Sequence, residues 1–164
     1  MRRLSWLTTR RAVVALAVSV LLALAAAGGA WSQSDRASRR EAAGRDALAA
    51  ATAATAALFS YDYRTFAASV ANGQQFATGA FAQEYAETTA TLRASAEKEQ
   101  AVVRAEVSAA GVVTAAPDRV EVLLYVNQYR RNTNIDGEKV DQNRVVLILV
   151  PVAGQWKVVA ASAI

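Results

Sequence analysis

Ala101–Tyr129 reads AVVRAEVSAAGVVTAAPDRVEVLLYVNQY, and the fold turns on it. Here the hydrophobic period drops to two. Val103, Ala105, Val107 and Ala109 alternate with Arg104, Glu106 and Ser108, the pattern of a half-buried strand. Gly111 inside the run predicts a bulge or bend, and Ala116-Pro117-Asp118 predicts a turn. Arg119 to Tyr129 follows as a second strand. Val120, Val122, Leu124 and Val126 share one face, with Leu123 and Tyr125 on the other. Apolar residues on both faces place this strand centrally.

Downstream, Asn132 to Lys139, with Asp136-Gly137, reads as a loop. Val145 to Val152 is apolar throughout and predicts a buried strand. Ala153-Gly154 is a tight turn, and Trp156 to Ala161 the last strand. Strands joined this closely pair antiparallel.

Upstream the period is helical. Ser38 to Ser60 is rich in alanine, the best helix former. Ser38 and Glu41 have capping-box spacing, so a helix starts there or runs on unbroken from residues further upstream. Asp62 is placed to cap a second helix carrying Phe66, Val70 and Phe76. Asn72-Gly73 is a candidate early end for it. Thr78-Gly79 is a second break, after which Phe81, Tyr85, Thr88 and Leu92 form one stripe of a third helix ending near Gln100. Helices first and strands afterwards predict an α+β domain, about three helices packed on one face of a curved antiparallel sheet of about four strands.

A different kind of segment stands in front. Ala12–Ala30, AVVALAVSVLLALAAAGGA, holds nineteen residues without a charge. As a helix it spans roughly 28 Å, close to the hydrocarbon thickness of a bilayer. Trp6 and Trp31 bracket it, as aromatic residues do at the two interfaces, and Arg10 and Arg11 adjoin its start. A cleaved secretory signal is the rival reading, since the small residues Ala25 to Ala30 resemble a processing site. A short basic stub before the segment and a long domain after it orient the N-terminus to the cytoplasm. The expected division is a cytoplasmic stub over 1–11, a transmembrane helix over 12–31, a juxtamembrane segment over 32–44 and an extracytoplasmic domain over 45–164.

The net charge of +4 belongs to the stub. The eighteen basic residues less Arg2, Arg3, Arg10 and Arg11 leave fourteen, against fourteen acidic ones, so the remainder is neutral. A neutral domain lacks the basic footprint of a nucleic-acid binder. The stub suits topology and anionic lipid headgroups. There is no cysteine and no histidine. That removes disulfides, thiolate nucleophiles, the commonest general base and the commonest zinc ligands. No phosphate loop or serine-nucleophile turn is present, and no cofactor is expected.

Leu58-Phe59-Ser60-Tyr61-Asp62-Tyr63, then Thr78-Gly79 with Phe81 and Tyr85, resemble the helical half of the actinobacterial Mce-associated membrane proteins. Val126-Asn127-Gln128, Val140-Asp141-Gln142-Asn143-Arg144 and Gly154-Gln155-Trp156-Lys157-Val158 resemble the strand half. The likeness covers about residues 45 to 160. It implies an NTF2-like (SnoaL-like) cone behind a single anchor. It also implies a non-enzymatic accessory role beside Mce-type lipid import complexes, with importer subunits as partners.

Three uses of such a cone remain open at this level. Tyr61, Asp62, Tyr63, Tyr125, Asn127, Asp141 and Trp156 are the candidate pocket or interaction residues. An isomerase or hydratase reading needs Asp62 as a desolvated general base facing tyrosine donors. The plainer reading makes Asp62 a helix cap and Trp156 an anchor closing the sheet on the helices. An apolar cone could instead hold a lipid- or sterol-like ligand, or an exposed sheet edge could accept a partner strand. Asp136, Glu138 and Asp141 are spaced loosely like a cation site, with Lys139 among them.

Overall fold

A computed structural model describes residues 33–164. The expected membrane segment, with Trp6, Arg10, Arg11 and Trp31, lies outside the described residues. Arg40–Ile164 forms one compact unit. Helix α1 is described over 33–58. Strand β1 (Tyr61–Asp62), a 3-10 turn (Tyr63–Thr65), α2 (Phe66–Gln74) and α3 (Gly79–Glu99) follow. Then come β2 (Val102–Ala116), β3 (Arg119–Arg131), β4 (Lys139–Val152) and β5 (Gln155–Ala163).

The sheet is a five-stranded antiparallel meander in the order β1-β2-β3-β4-β5. This corrects the expected sheet of about four strands. The additional strand is two residues long, Tyr61 and Asp62 against Val103 and Val102. Two residues carry no period, so no sequence pattern announces it. Among the described residues, no helix is long and apolar enough to cross a membrane.

Several boundaries also move. Helix α1 is already in place at residue 33, so Ser38 lies within it rather than capping it. Asp62 caps the 3-10 turn instead of a full helix. Strand β4 begins at Lys139, six residues before the apolar run, because Val140 to Arg144 pair with Tyr129 to Tyr125. Helix α2 continues through Asn72-Gly73. The irregularities expected at Gly111 flank it, between Val107 and Ala109 and between Val112 and Thr114.

The core lies between α1 and the inner face of the sheet. Ala43, Ala47, Ala51, Ala54 and Leu58 are buried along one stripe of α1. They meet Val120, Val122, Leu124 and Val126 of β3, Leu147 and Leu149 of β4, and Val158 of β5. Alanine keeps the helix close to the sheet, while leucine and valine supply the apolar area, roughly 1.5–3 kcal/mol for each large side chain fully buried. Gly44 extends the same stripe, 3.5 Å from the Ala115 Cβ by the position its own Cβ would take. A second small cluster, Phe66, Ala96 and Ala101, joins α2 and α3 with Tyr61, Val70 and Leu92 beside it.

The outer margin of β5 is partly covered. Thr78 N–H donates to the Val158 carbonyl at 2.9 Å, and Val158 N–H donates to Phe76 O at 2.7 Å. Gly79, with φ of 59°, lets the chain leave this bridge straight into α3. Beyond β1, by contrast, β2 from residue 104 has no strand partner on its outer side among the described residues.

Candidate functional site

Along β3 the inward face reads Val120, Val122, Leu124 and Val126, then changes to Gln128 and Arg130. At that change the packing opens into a cavity of about 300 Å³. It lies between the end of α1, helices α2 and α3, and the sheet. Leu58, Phe59, Phe66, Val70, Tyr85 and Leu92 give it apolar walls, and Tyr61, Gln128, Arg130 and Asp141 give it one polar end. The register pairs Gln128 with Asp141 and Arg130 with Lys139, which gathers these side chains at one place.

The polar end is organised around Asp141. Its Oδ2 accepts from Arg130 Nη2 at 2.8 Å, and its Oδ1 faces Lys139 Nζ at 3.2 Å. Arg130 Nε is buried and has no hydrogen-bond partner among the described residues. Tyr61 packs edge-on to Phe66, with ring centroids 5.5 Å apart. Burial pushes its hydroxyl above the usual tyrosine range, partly offset by the positive charge of Arg130 and reinforced by Glu99. The Tyr85 hydroxyl is likewise pushed up by burial. Both tyrosines are thus neutral donors at physiological pH.

Of the residues singled out from sequence, Tyr61 and Asp141 meet at this cavity. Tyr125 and Asn127 lie together elsewhere. They sit on the outward face of β3 with Ser108, Gln142 and Arg144, around a polar groove of about 500 Å³. Tyr125 is 45% exposed there, and Gln142 Nε2 donates to Asn127 Oδ1 at 3.4 Å. Trp156 is half-buried against the main core.

Asp62 stands apart from the cavity. Its Oδ1 accepts from the Arg64 backbone N–H at 2.9 Å, and the Arg64 guanidinium clamps both carboxylate oxygens. The side-chain hydrogen bonds from Arg64 hold its carboxyl below the usual carboxylate range, with the backbone N–H adding to the effect. A proton acceptor for carbon acids needs the opposite shift. Arg64 also sits 5.8 Å from the Tyr63 ring centroid, which occupies Tyr63 in the same local knot. The loosely spaced carboxylates diverge too: Glu138 pairs with Arg131 at 3.0 Å and Asp141 with Arg130 and Lys139. Among the described residues no cluster of three or more acidic side chains is poised to hold a metal ion.

Sequence reasoning missed Arg130 and the meeting of Phe66 and Leu92, from two helices, at one cavity. Arg130 carried a signal. It continues the even-numbered inward register of β3 past its apolar end, so a charged residue at that position faces the core side.

No family model matches the chain, and no curated protein matches it. Solved structures do. An IcmL-like type IV secretion system protein from Legionella pneumophila is 18% identical, with a TM-score of 0.60, over 71% of this chain and 88% of that one. The periplasmic domain of DotI gives 12% identity and a TM-score of 0.60, over 71% and 91%. CagV, a VirB8 homolog of the type IV secretion system of Helicobacter pylori, gives 11% and 0.58, over 71% and 94%. The described domain therefore shares its fold with these type IV secretion system proteins. The expected membership of the Mce-associated family, and with it lipid import and importer subunits as partners, is corrected by these likenesses. The motifs quoted for that family are short helix and strand segments, and a shared arrangement of helices before a sheet produces such pieces without common descent.

Proposed function

We propose that Arg40–Ile164 is a non-enzymatic assembly module of a multi-subunit complex in the cell envelope. In this reading the apolar segment 12–31 anchors the chain, the stub before it is cytoplasmic, and the domain is extracytoplasmic. The observation that carries the proposal is the fold itself, which is shared over about nine-tenths of three chains from type IV secretion proteins, one of them the periplasmic domain of DotI. The unpaired outer side of β2 supports it, since an open edge can accept a strand from another subunit. The absence of cysteine and histidine, and the clamped state of Asp62, fit a binding role better than catalysis.

The test is a mild-detergent pull-down of the tagged full-length protein from its own membranes, beside a shortened chain of residues 31–164. Co-purification of other envelope proteins with the full chain is expected. Recovery of the protein alone, under conditions that keep a known envelope complex intact, refutes the reading.

A second reading has its own observation, the apolar cavity with an unpartnered donor at its polar end. Its size and lining suit a small apolar molecule carrying one hydrogen-bond acceptor, such as the acyl end of a lipid. In that reading Arg130 Nε meets the acceptor. Organic extraction of the purified protein, followed by mass spectrometry, looks for such a molecule. Leu92→Trp, which fills the cavity, is expected to abolish its recovery while the protein stays folded; undiminished recovery sinks the idea.

A further inference from the structure

Strand β1 covers the outer side of β2 only at Val102 and Val103. The Ala105 N–H also points outward, where it donates to Ser60 Oγ at 2.9 Å. Beyond it the edge is open among the described residues. In an antiparallel ladder, alternate residues direct both backbone groups to the same neighbour. Ala105 and Val107 therefore aim away from β3, while Glu106 aims toward it.

Two bulges change that count. Val107 pairs with Val126 and Ala109 with Tyr125, which leaves Ser108 as an extra residue. Val112 pairs with Val122 and Thr114 with Glu121, which leaves Val113 as another. After each extra residue the next outward position comes one residue later. The outward backbone groups thus belong to Val107, Ala110, Val112 and Ala115. Their spacing reads the same in both directions, with Gly111 at its centre.

That symmetry selects an occupant. When a second β2 lies antiparallel with Gly111 opposite Gly111, Val107 faces Ala115 of the other copy and Ala110 faces Val112. Each such pair exchanges two hydrogen bonds. The bulges coincide as well, since Ala109 falls opposite Val113. A regular strand from another protein presents outward groups every second residue and falls out of phase at each bulge. Bulges commonly protect an edge from pairing; here they protect it from strands unlike itself.

Charge agrees with this register. From Val107 to Pro117 there is no charged residue, so no like charges meet near the axis. Just outside that run, Arg104 of one copy comes alongside the turn that carries Asp118 of the other. Glu106 falls opposite Ala116, the ladder partner of Arg119. Opposite signs therefore meet at both ends. The centre is built from small residues, Ala109-Ala110-Gly111, and all three are exposed. A side chain at Gly111 would meet nothing within 4 Å.

We infer that the free edge of β2 is a homodimer interface, on which a second copy of this chain adds its own β2 antiparallel about Gly111. This deepens the assembly reading proposed above, and rests on it for treating the edge as a binding surface. The two sheets become one, continuous across both copies.

The chain has no cysteine, so introduced cysteines report proximity between copies. Full-length protein in mild detergent is expected to sediment with the protein mass of two chains. Gly111→Cys should crosslink under mild oxidation. Ala109→Cys and Val113→Cys should crosslink poorly alone, each about 13 Å from its own counterpart, and well when the two are mixed. Gly111→Lys sets like charges face to face on the axis. It should shift the protein to one chain at the same concentration, with its far-ultraviolet spectrum unchanged. One chain at every concentration overturns the inference. A dimer that Gly111→Lys leaves intact, or that Gly111→Cys does not crosslink, uses another surface and overturns it too. So does crosslinking at 109 or 113 alone that matches crosslinking at 111. The purified chain is used by itself, so this failure and that of the assembly reading are distinct. A monomer that still recovers envelope proteins overturns only the dimer, and a dimer that recovers none overturns only the larger assembly.

Discussion

The hydroxyl of Tyr85 occupies the place where a side chain on Gly73 would begin. Helices α2 and α3 approach each other there with nothing between the glycine backbone and the ring, and the Ala57 carbonyl closes the third side at 3.1 Å. Gly73 is helical and buried, so its role is space rather than backbone freedom. Gly73→Ala gains up to about 1 kcal/mol of helix propensity and loses more through overlap, which typically costs 1–3 kcal/mol. A net loss of stability is expected in urea unfolding. The double variant Gly73→Ala/Tyr85→Phe, which removes the oxygen in the way, should be more stable than the sum of the two single changes.

Tyr85 also sets a pH dependence. Burial raises its folded value above the unfolded value of about 10. The neutral form is favoured by folding, so its contribution is fully present below the unfolded value and is lost as pH rises through the folded one. Melting temperature should therefore fall at strongly alkaline pH. Tyr85→Phe should flatten part of that fall; Tyr61, also raised by burial, accounts for a further part.

At the acid end Asp62 acts in the opposite sense. Arg64 holds its folded value below the ordinary carboxylate value. Its contribution is present above the unfolded value, and it disappears as pH falls through the folded one. The Arg64 side chain is largely exposed, so the effect on stability is small. An NMR titration of the Asp62 carboxyl should show the downward shift, and Arg64→Ala should abolish most of it.

Ala51 is wholly buried on the α1 stripe that faces the sheet. Ala51→Leu inserts three carbons between helix and sheet, where overpacking costs roughly 1–3 kcal/mol. Thermal denaturation should register the loss. The same change at Ala53, exposed on the other side of α1, should be close to neutral.

Ala153 offers a gain. Asparagine tolerates the left-handed region at this turn better than alanine. Ala153→Asn is expected to stabilise the domain by about 0.5–1 kcal/mol in denaturant unfolding. No change would mean that the turn relaxes in solution to a different geometry.

Long strands were legible because their alternation is long. Val120 to Val126 shows four inward residues in a row, and the Ala153-Gly154 turn is marked by its own residues. Strand β1 was not legible, since two residues have no period. Helix α1 hid its start because nothing in Ser32 to Arg40 breaks a helix. The cavity was half legible: Tyr61 and Asp141 stood out as unusual residues, but their meeting depends on the β3–β4 register. Asp62 stood out equally and proved to be held by Arg64, two residues away, a contact that composition does not distinguish from a catalytic setting.

The apolar stripe of α1 finds its partners on β3, β4 and β5, at least sixty residues later in the chain. As the polypeptide emerges N-terminus first, this helix waits for most of the domain to be made. Had the stripe been leucine, it would offer a sticky surface throughout that interval. Alanine holds its helical shape with little outside help and presents few carbons to stray neighbours. The small residues that let the finished helix lie close to the sheet therefore also make it a patient early segment, safe to leave uncovered until the last strand arrives.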